Sequence, residues 1–331
     1  MPSKIEVKSI LVTGASGKIG RNLLPQLVAA GYRVRAVENR RAVDASGVEV
    51  VRGSVSDYAF VAKALDGMDA VCHLATTKDD KPGFIDVSIR GTWNLLEASK
   101  QCGHVKQFII SSGDAAMGIW YYPNPVPINE AMPMRAYPGV YALSKVLEDT
   151  MVIQHGIQYG LPYTILRFSW IHDEDDLLCY LTFSPPDFGG PSWRSLAKSP
   201  AQKLATAEGR NGVGCLVHPG GAPYRRHIVG IGDVVQSILL ALGNPRAIGE
   251  TFHIAAPAPF TYDVLARHVG ERLNLSVVEF ELDGFHDFEI DISKARAILG
   301  YRPEYDIYRM VDAAIEFRAS GRARSDAKRP G

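Results

Sequence analysis

Tyr141 and Lys145 stand four residues apart in YPGVYALSKVLEDT, a stretch whose pattern predicts a helix. Their side chains therefore share one helix face, a turn apart. A free phenol ionises near pH ~10, too high for an efficient base at neutrality. A neighbouring ammonium favours the phenolate and lowers that value, so Tyr141 reads as a base with Lys145 as its electrostatic partner. A lysine stem laid along an apolar face is the structural alternative. None of the other tyrosines is followed by a lysine four residues on.

A second constellation, TGASGKIG from Thr13 to Gly20, follows an apolar run and opens a helical pattern. Gly14 suits a tight turn, Gly17 a close approach of backbone to a pyrophosphate, and Gly20 the packing of helix on strand. Ser16, Lys18 and Ile19 complete the loop, whose helix N-terminus presents free N–H groups to phosphate oxygens. Glu38, at the tip of the next apolar run, suits the ribose hydroxyls of NAD and would repel a 2′-phosphate. Arg40 and Arg41 follow it and favour NADP instead; the strand-tip carboxylate makes NAD the expected cofactor.

To be held in place, these residues need strands and helices in alternation. KSILVTG, YRVRAVE, VEVVRG, DAVCHLA, VKQFIIS and PYTILRF read as buried strands, with helical stretches KIGRNLLPQLVAAG, FVAKALDG and IRGTWNLLEASKQCG between them. Such alternation predicts an α/β fold with a doubly wound parallel sheet, a Rossmann arrangement. After Phe168 the rhythm breaks. From Ser169 to about Arg226 the chain is rich in Pro, Gly, Trp and acidic residues, as in SPPDFGGPSW and HPGGAPYRR, and predicts a loop-rich substrate-binding lobe. The expected division is 1–168 with 228–256 for the dinucleotide domain, and 169–227 with 257–331 for the lobe. The tail ARSDAKRPG reads as disordered.

Apolar residues make up 46% of 331, enough for a large core. Lys+Arg and Asp+Glu both number 36, which gives no electrostatic reason to expect nucleic acid or an acidic membrane. No apolar run reaches a membrane span, and the N-terminus shows no cleavable signal, so a cytoplasmic location is expected. Cys72, Cys102, Cys179 and Cys215 lie far apart and read as reduced thiols, mostly buried. The acidic run HDEDD, His172 to Asp176, lacks a second ligand cluster and reads as a solvated or helix-end loop; no metal is expected.

With these motifs the chain resembles the extended short-chain dehydrogenases/reductases of the NAD-dependent epimerase/dehydratase family. The likeness runs over nearly the whole chain, through TGASGKIG, DAVCHLA, GTWNLLEA, FIISS, the NE-x-x-P loop, YALSK, ILR, RRHIVGIGDV and DISKARAILGYRP. It implies that Ser54, Val55, Leu74, Ala75, Thr76 and Ser111 join the cofactor site, and that Lys145 also holds the nicotinamide ribose. It assigns Thr77, Gly113, Asp114, Trp170 and Arg226 to the substrate, and implies a homodimer through the helices holding IRGTWNLLEA and YALSKVLEDT.

The family's third catalytic group is a hydroxyl just past the fifth strand. Aligned on the last glycine of FIISSGDAAMG, that position holds Gly113, with Ser112 one residue before it. Uronate dehydrogenases of this family resemble the chain here, which assigns the role to Ser112 and turns Ser111 toward the core. Asp114 aligns with the acid of sugar-nucleotide dehydratases, but Ala115 replaces the glutamate after it, which argues against elimination; contacts to substrate hydroxyls or a turn cap are its other readings. Trp170 replaces the family's asparagine in ILRFSWIHD, Ser54 an aspartate that meets adenine, and Ser88 an asparagine. Arg226 matches an arginine that contacts a sugar nucleotide's diphosphate; a pair with Asp233 or another carboxylate is the competing reading. Tyr121, Tyr122, Trp170 and Trp193 stand as sugar-stacking or core aromatics.

The expected function is NAD(P)-dependent hydride transfer at a secondary alcohol of a carbohydrate, leaning to a sugar or sugar-acid dehydrogenase. A nucleotide-sugar 4-epimerase with tightly held NAD is the alternative. A non-catalytic dinucleotide sensor is a third reading, against which the retained Tyr–Lys pair argues.

Overall fold

A computed structural model describes residues 4–78, 81–183 and 192–325. The apolar runs form the expected strands: β1 (Ser9–Thr13), β2 (Arg33–Glu38), β3 (Val48–Arg52), β4 (Ala70–His73), β5 (Gln107–Gly113) and β6 (Tyr163–Phe168). A seventh strand, Glu250–Ile254, arrives from much later in the chain and pairs with β6. The sheet order is Glu250–Ile254, β6, β5, β4, β1, β2, β3, with every pair parallel. β1 lies between β4 and β2, so the loop leaving its carboxyl end sits where the strand order reverses. β3 is a correction to its reading as a buried strand: on the sheet's edge, Glu49, Val50 and Arg52 are exposed.

Helix α1 (Lys18–Ala29) buries Ile19, Leu23, Leu24 and Leu27, and helix α2 (Tyr58–Leu65) is capped by the Asp57 carboxylate on Phe60 N–H. A π-helical segment, Phe84–Gly91, leads into the helix Thr92–Cys102, which stops at left-handed Gly103. The helix Val140–Tyr159 buries Ala142, Ser144, Lys145, Glu148, Asp149 and Val152.

The stretch after Phe168 is more ordered than its composition suggests. Strand Val213–Val217 pairs in parallel with Val277–Glu281, Arg225–Arg226 pairs with Phe260–Thr261, and Trp170–His172 pairs with Ile228–Gly230. Short helices occupy Asp176–Leu181 and Pro200–Ala205. Most of SPPDFGGPSW lies outside the described residues, as do 326–331 of the tail. The described end of that tail is tied down: Arg324 pairs with Asp175 and Asp176, and Ser325 with Glu174. One apolar cluster runs from Ile10 and Leu24 through Phe252 to Trp193, Tyr262 and Phe280, joining the seven-stranded sheet to the later strands and helices.

Candidate active site

The phosphate loop is shaped by close backbone approach. Gly14 has φ +66°, and a Cβ there would lie 2.5 Å from Ala75 N. At Gly20 a Cβ would lie 2.3 Å from Ala15 O, so helix α1 can cross its own loop only without a side chain. Gly17 caps α1 with no side-chain acceptor and no acidic residue in the first turn. With no acid there, the partial positive charge at the helix start suits an anion. Thr13 and Ala75 close the turn, with Ala75 N–H donating to Thr13 Oγ1 at 3.3 Å. Leu74 is buried beneath it, Ala75 is half-buried and Thr76 is exposed.

Lys18 contributes its backbone to this loop but not its ammonium. That group bonds Asp176 and the carbonyl of Ile171, 3.3 Å away. HDEDD is therefore an ion-paired clasp. Arg21 meets Asp173 at 2.6 Å, Arg318 meets Asp175 at 2.7 Å, and Arg324 meets Asp175 and Asp176. Among the described residues no group of three or more His, Cys, Asp or Glu could hold a metal ion.

Glu38 ends β2 as expected. Its carboxylate accepts from Val43 N–H at 2.8 Å and from Arg52 Nε at 2.6 Å. The Val43 N–H, with Arg52, holds the carboxyl below its ordinary value, so it stays anionic with lone pairs left for further donors. Arg40 and Arg41 are exposed. Ser54 bonds Ser56 at 2.8 Å, and the carbonyl of buried Val55 accepts from Asn94.

Tyr141 and Lys145 share the sheet-facing side of their helix. The ammonium donates to Ser111 O at 3.1 Å and to Glu148 Oε2 at 2.8 Å, and lies 5.7 Å from the centre of the Tyr141 ring. Behind it His73 is buried between Thr13 Oγ1, at 2.6 Å, and Thr92 Oγ1, at 3.0 Å. Burial, with repulsion from Lys145, pushes its imidazole down to about 3, so it is neutral. Sequence reasoning missed both His73 and Glu148. The signal for Glu148 was its place three residues after Lys145; none marked His73.

Ser112 is a correction. Strand alternation turns it to the face opposite Gly113. Its buried hydroxyl makes no normal hydrogen bond among the described residues and lies toward the Asp149 carboxylate, which Arg167 Nε holds at 2.8 Å. The residue facing the phenol is Gly113: a Cβ built there would stand 3.6 Å from Tyr141 Oη. Ser111, expected to face the core, is instead half-buried on the Gly113 side of the strand, and its carbonyl accepts from Lys145.

The substrate candidates lie beside this end of the sheet. Buried Asp114 accepts from Ser169 Oγ at 2.9 Å; burial pushes its carboxyl up to about 6, against the pull of Ser169 and Arg226. Thr77 is half-buried, with its hydroxyl covered. Arg226 does not pair with Asp233, which instead accepts from the N–H groups of Glu304 and Tyr305. Its guanidinium lies 4.4 Å from the Trp170 ring and donates to Tyr180 Oη at 2.9 Å. Trp193 belongs to the core, donating to Tyr180 O at 3.0 Å. Tyr122 stacks under Arg135, and Tyr121 is exposed beside it.

Residues 10–171 match the model of the NAD dependent epimerase/dehydratase family. The chain is 30% identical over 173 residues to a UDP-glucose 4-epimerase of Lacticaseibacillus casei, covering 48% of this chain and 50% of that one. It is 24% identical over 338 residues to UDP-glucuronate 4-epimerase 1 of Arabidopsis thaliana, covering 90% and 74%. A solved short-chain dehydrogenase/reductase superfamily protein from Agrobacterium tumefaciens, with bound NAD, superposes with TM-score 0.81 at 27% identity, over 95% of this chain and 98% of that one.

Proposed function

We propose that the chain, whose residues 10–171 match the NAD dependent epimerase/dehydratase family, belongs to it and transfers a hydride at a secondary alcohol of a sugar, with Tyr141 as base. The cofactor is NAD, which when bound supplies the hydride acceptor. The residues present fit it: the glycine cradle, the uncapped start of α1, and an anionic Glu38 at the β2 tip. Lys145 has three N–H donors, two of them committed to Ser111 and Glu148, and the third suits a ribose hydroxyl.

Tyr141 takes the proton of the substrate hydroxyl as that carbon is oxidised. The ammonium of Lys145 stabilises the phenolate, and the covered floor of buried residues keeps the charge effective. The observation that carries the reading is the Tyr141–Lys145 pair beside the carboxyl end of β5, with the ammonium anchored on the Ser111 carbonyl.

Epimerisation of a nucleotide sugar is the outcome that the relatives support best, displacing the lean toward a sugar-acid dehydrogenase. The second reading, net oxidation of a sugar acid, keeps one specific support: Arg226 is stacked on Trp170 where the family carries an asparagine. Incubation with UDP-hexoses and UDP-hexuronates, followed by chromatography, tests the first; interconversion without NADH is expected. NADH accumulating on a free sugar acid would transfer the assignment to the second. Tyr141→Phe should lower either rate by about 10²–10⁴-fold while NAD binding persists. Equal activity of that variant and the parent would remove Tyr141 as base. The active form in this proposal is a homodimer.

A further inference from the structure

The helix that carries Tyr141 and Lys145 also carries a carboxylate that the proposed chemistry has not used. Glu148 lies three residues beyond Lys145, on the same face. The side chains of the pair are 1% and 3% exposed, and the ions meet at 2.8 Å. An ammonium so far from water needs a counter-ion, and a carboxylate so placed is itself costly without one. The next residue, Asp149, repeats the device with Arg167 at 2.8 Å. Two adjacent acids thus each serve one cation.

We propose that Glu148 is a positioning residue for the catalytic pair, holding the Lys145 ammonium on the Ser111 carbonyl and offsetting part of its charge beneath Tyr141. This rests on the reading of Tyr141 as base. Ser88, on the π-helical segment, faces the Glu148 carboxyl; burial raises that carboxyl's proton affinity while Lys145 and Ser88 oppose the rise. Among the described residues, the other charged or titratable groups around the pair are already engaged or neutral. Asp149 and Arg167 neutralise each other, His73 is neutral behind Lys145, and Asp114 lies past the end of β5. Glu97, from the helix Thr92–Cys102, is engaged by Lys100 and His155. Glu148 is therefore the nearest anion to the ammonium, and its removal should make the phenolate easier to form.

The test is tyrosinate absorbance, titrated between pH 6 and 9.5 on the full chain with NAD, and needs no substrate. Subtracting the Tyr141→Phe protein from the parent isolates Tyr141; the same subtraction is made in a Glu148→Gln background. Glu148→Gln should move the Tyr141 titration to lower pH by roughly one unit, with Glu148→Asp between the two. A packing role would change the melting temperature without moving that titration. No shift, or an alkaline one, in folded NAD-binding protein overturns the role of Glu148 and leaves Tyr141 as base. Absence of any Tyr141 signal in the parent overturns the base itself, and this inference with it. If Glu148→Gln does not fold, Glu148→Asp is decisive: a smaller acid shift supports the proposal, and an unmoved titration ends it.

Discussion

Gly113 occupies the place from which a β5 side chain would reach the Tyr141 hydroxyl, and Ser112 points to the other face of the strand. The two positions make opposite predictions. Ser112→Ala should leave turnover within about threefold, because loss of a hydroxyl acting on the substrate would cost about 10²–10⁴. Gly113→Ser should fold, since the built Cβ meets nothing closer than 3.6 Å, and should raise the rate by placing a hydroxyl beside the phenol. Steady-state kinetics on both variants decide the matter; a collapse of activity in Ser112→Ala would restore Ser112 to the reaction. Arg226, a candidate for a diphosphate, donates to Tyr180 and lies over the Trp170 ring, partners 46 and 56 positions away in the chain that no local spacing announces.

At the scale of elements, the site depends on how tightly α1 leaves β1. Gly20→Ala drives a methyl into the Ala15 carbonyl and should cost about 1–3 kcal/mol in urea unfolding, with NAD affinity falling in parallel. Retention of both would show that the loop can shift. His73 ties the end of β4 to Thr13 of β1 and to Thr92 at the start of its helix. This pin works with a neutral ring. With His73 pushed down to about 3, His253 to about 3 and His227 to about 4, the folded chain binds fewer protons than the unfolded chain below pH 6.5. Their stabilisation is complete above 6.5 and is lost as pH falls from there toward 4 and 3. At the limit this amounts to roughly 5 kcal/mol for His73 and for His253 and roughly 3 for His227. His73→Gln should flatten the fall of stability between pH 6.5 and 4; an unchanged slope in urea titrations would mean that His73 is not neutral in the folded state.

For the molecule as a whole, the proposed homodimer has a visible surface. Trp93, Leu143, Ile157 and Tyr159 are exposed apolar residues on the two helices that flank the site, Thr92–Cys102 and Val140–Tyr159. Trp93→Glu should halve the mass seen by sedimentation equilibrium, and a parent chain already monomeric would refute the dimer. Among the described residues no helix is long and apolar enough to cross a membrane. By itself the sequence determined the alternation of strands and helices, the phosphate loop, the Tyr141–Lys145 spacing and the acid at Glu38, because local periodicity and glycine placement express themselves within one element or turn. Only the tertiary structure decided the seventh strand, the clasp between Lys18 and Asp176, the turning of Ser112 toward Asp149 and the burial of Glu148 beside Lys145. Strand partners and counter-ions are chosen by which surfaces exclude water together, and that is settled by packing across many residues of chain rather than by spacing along it.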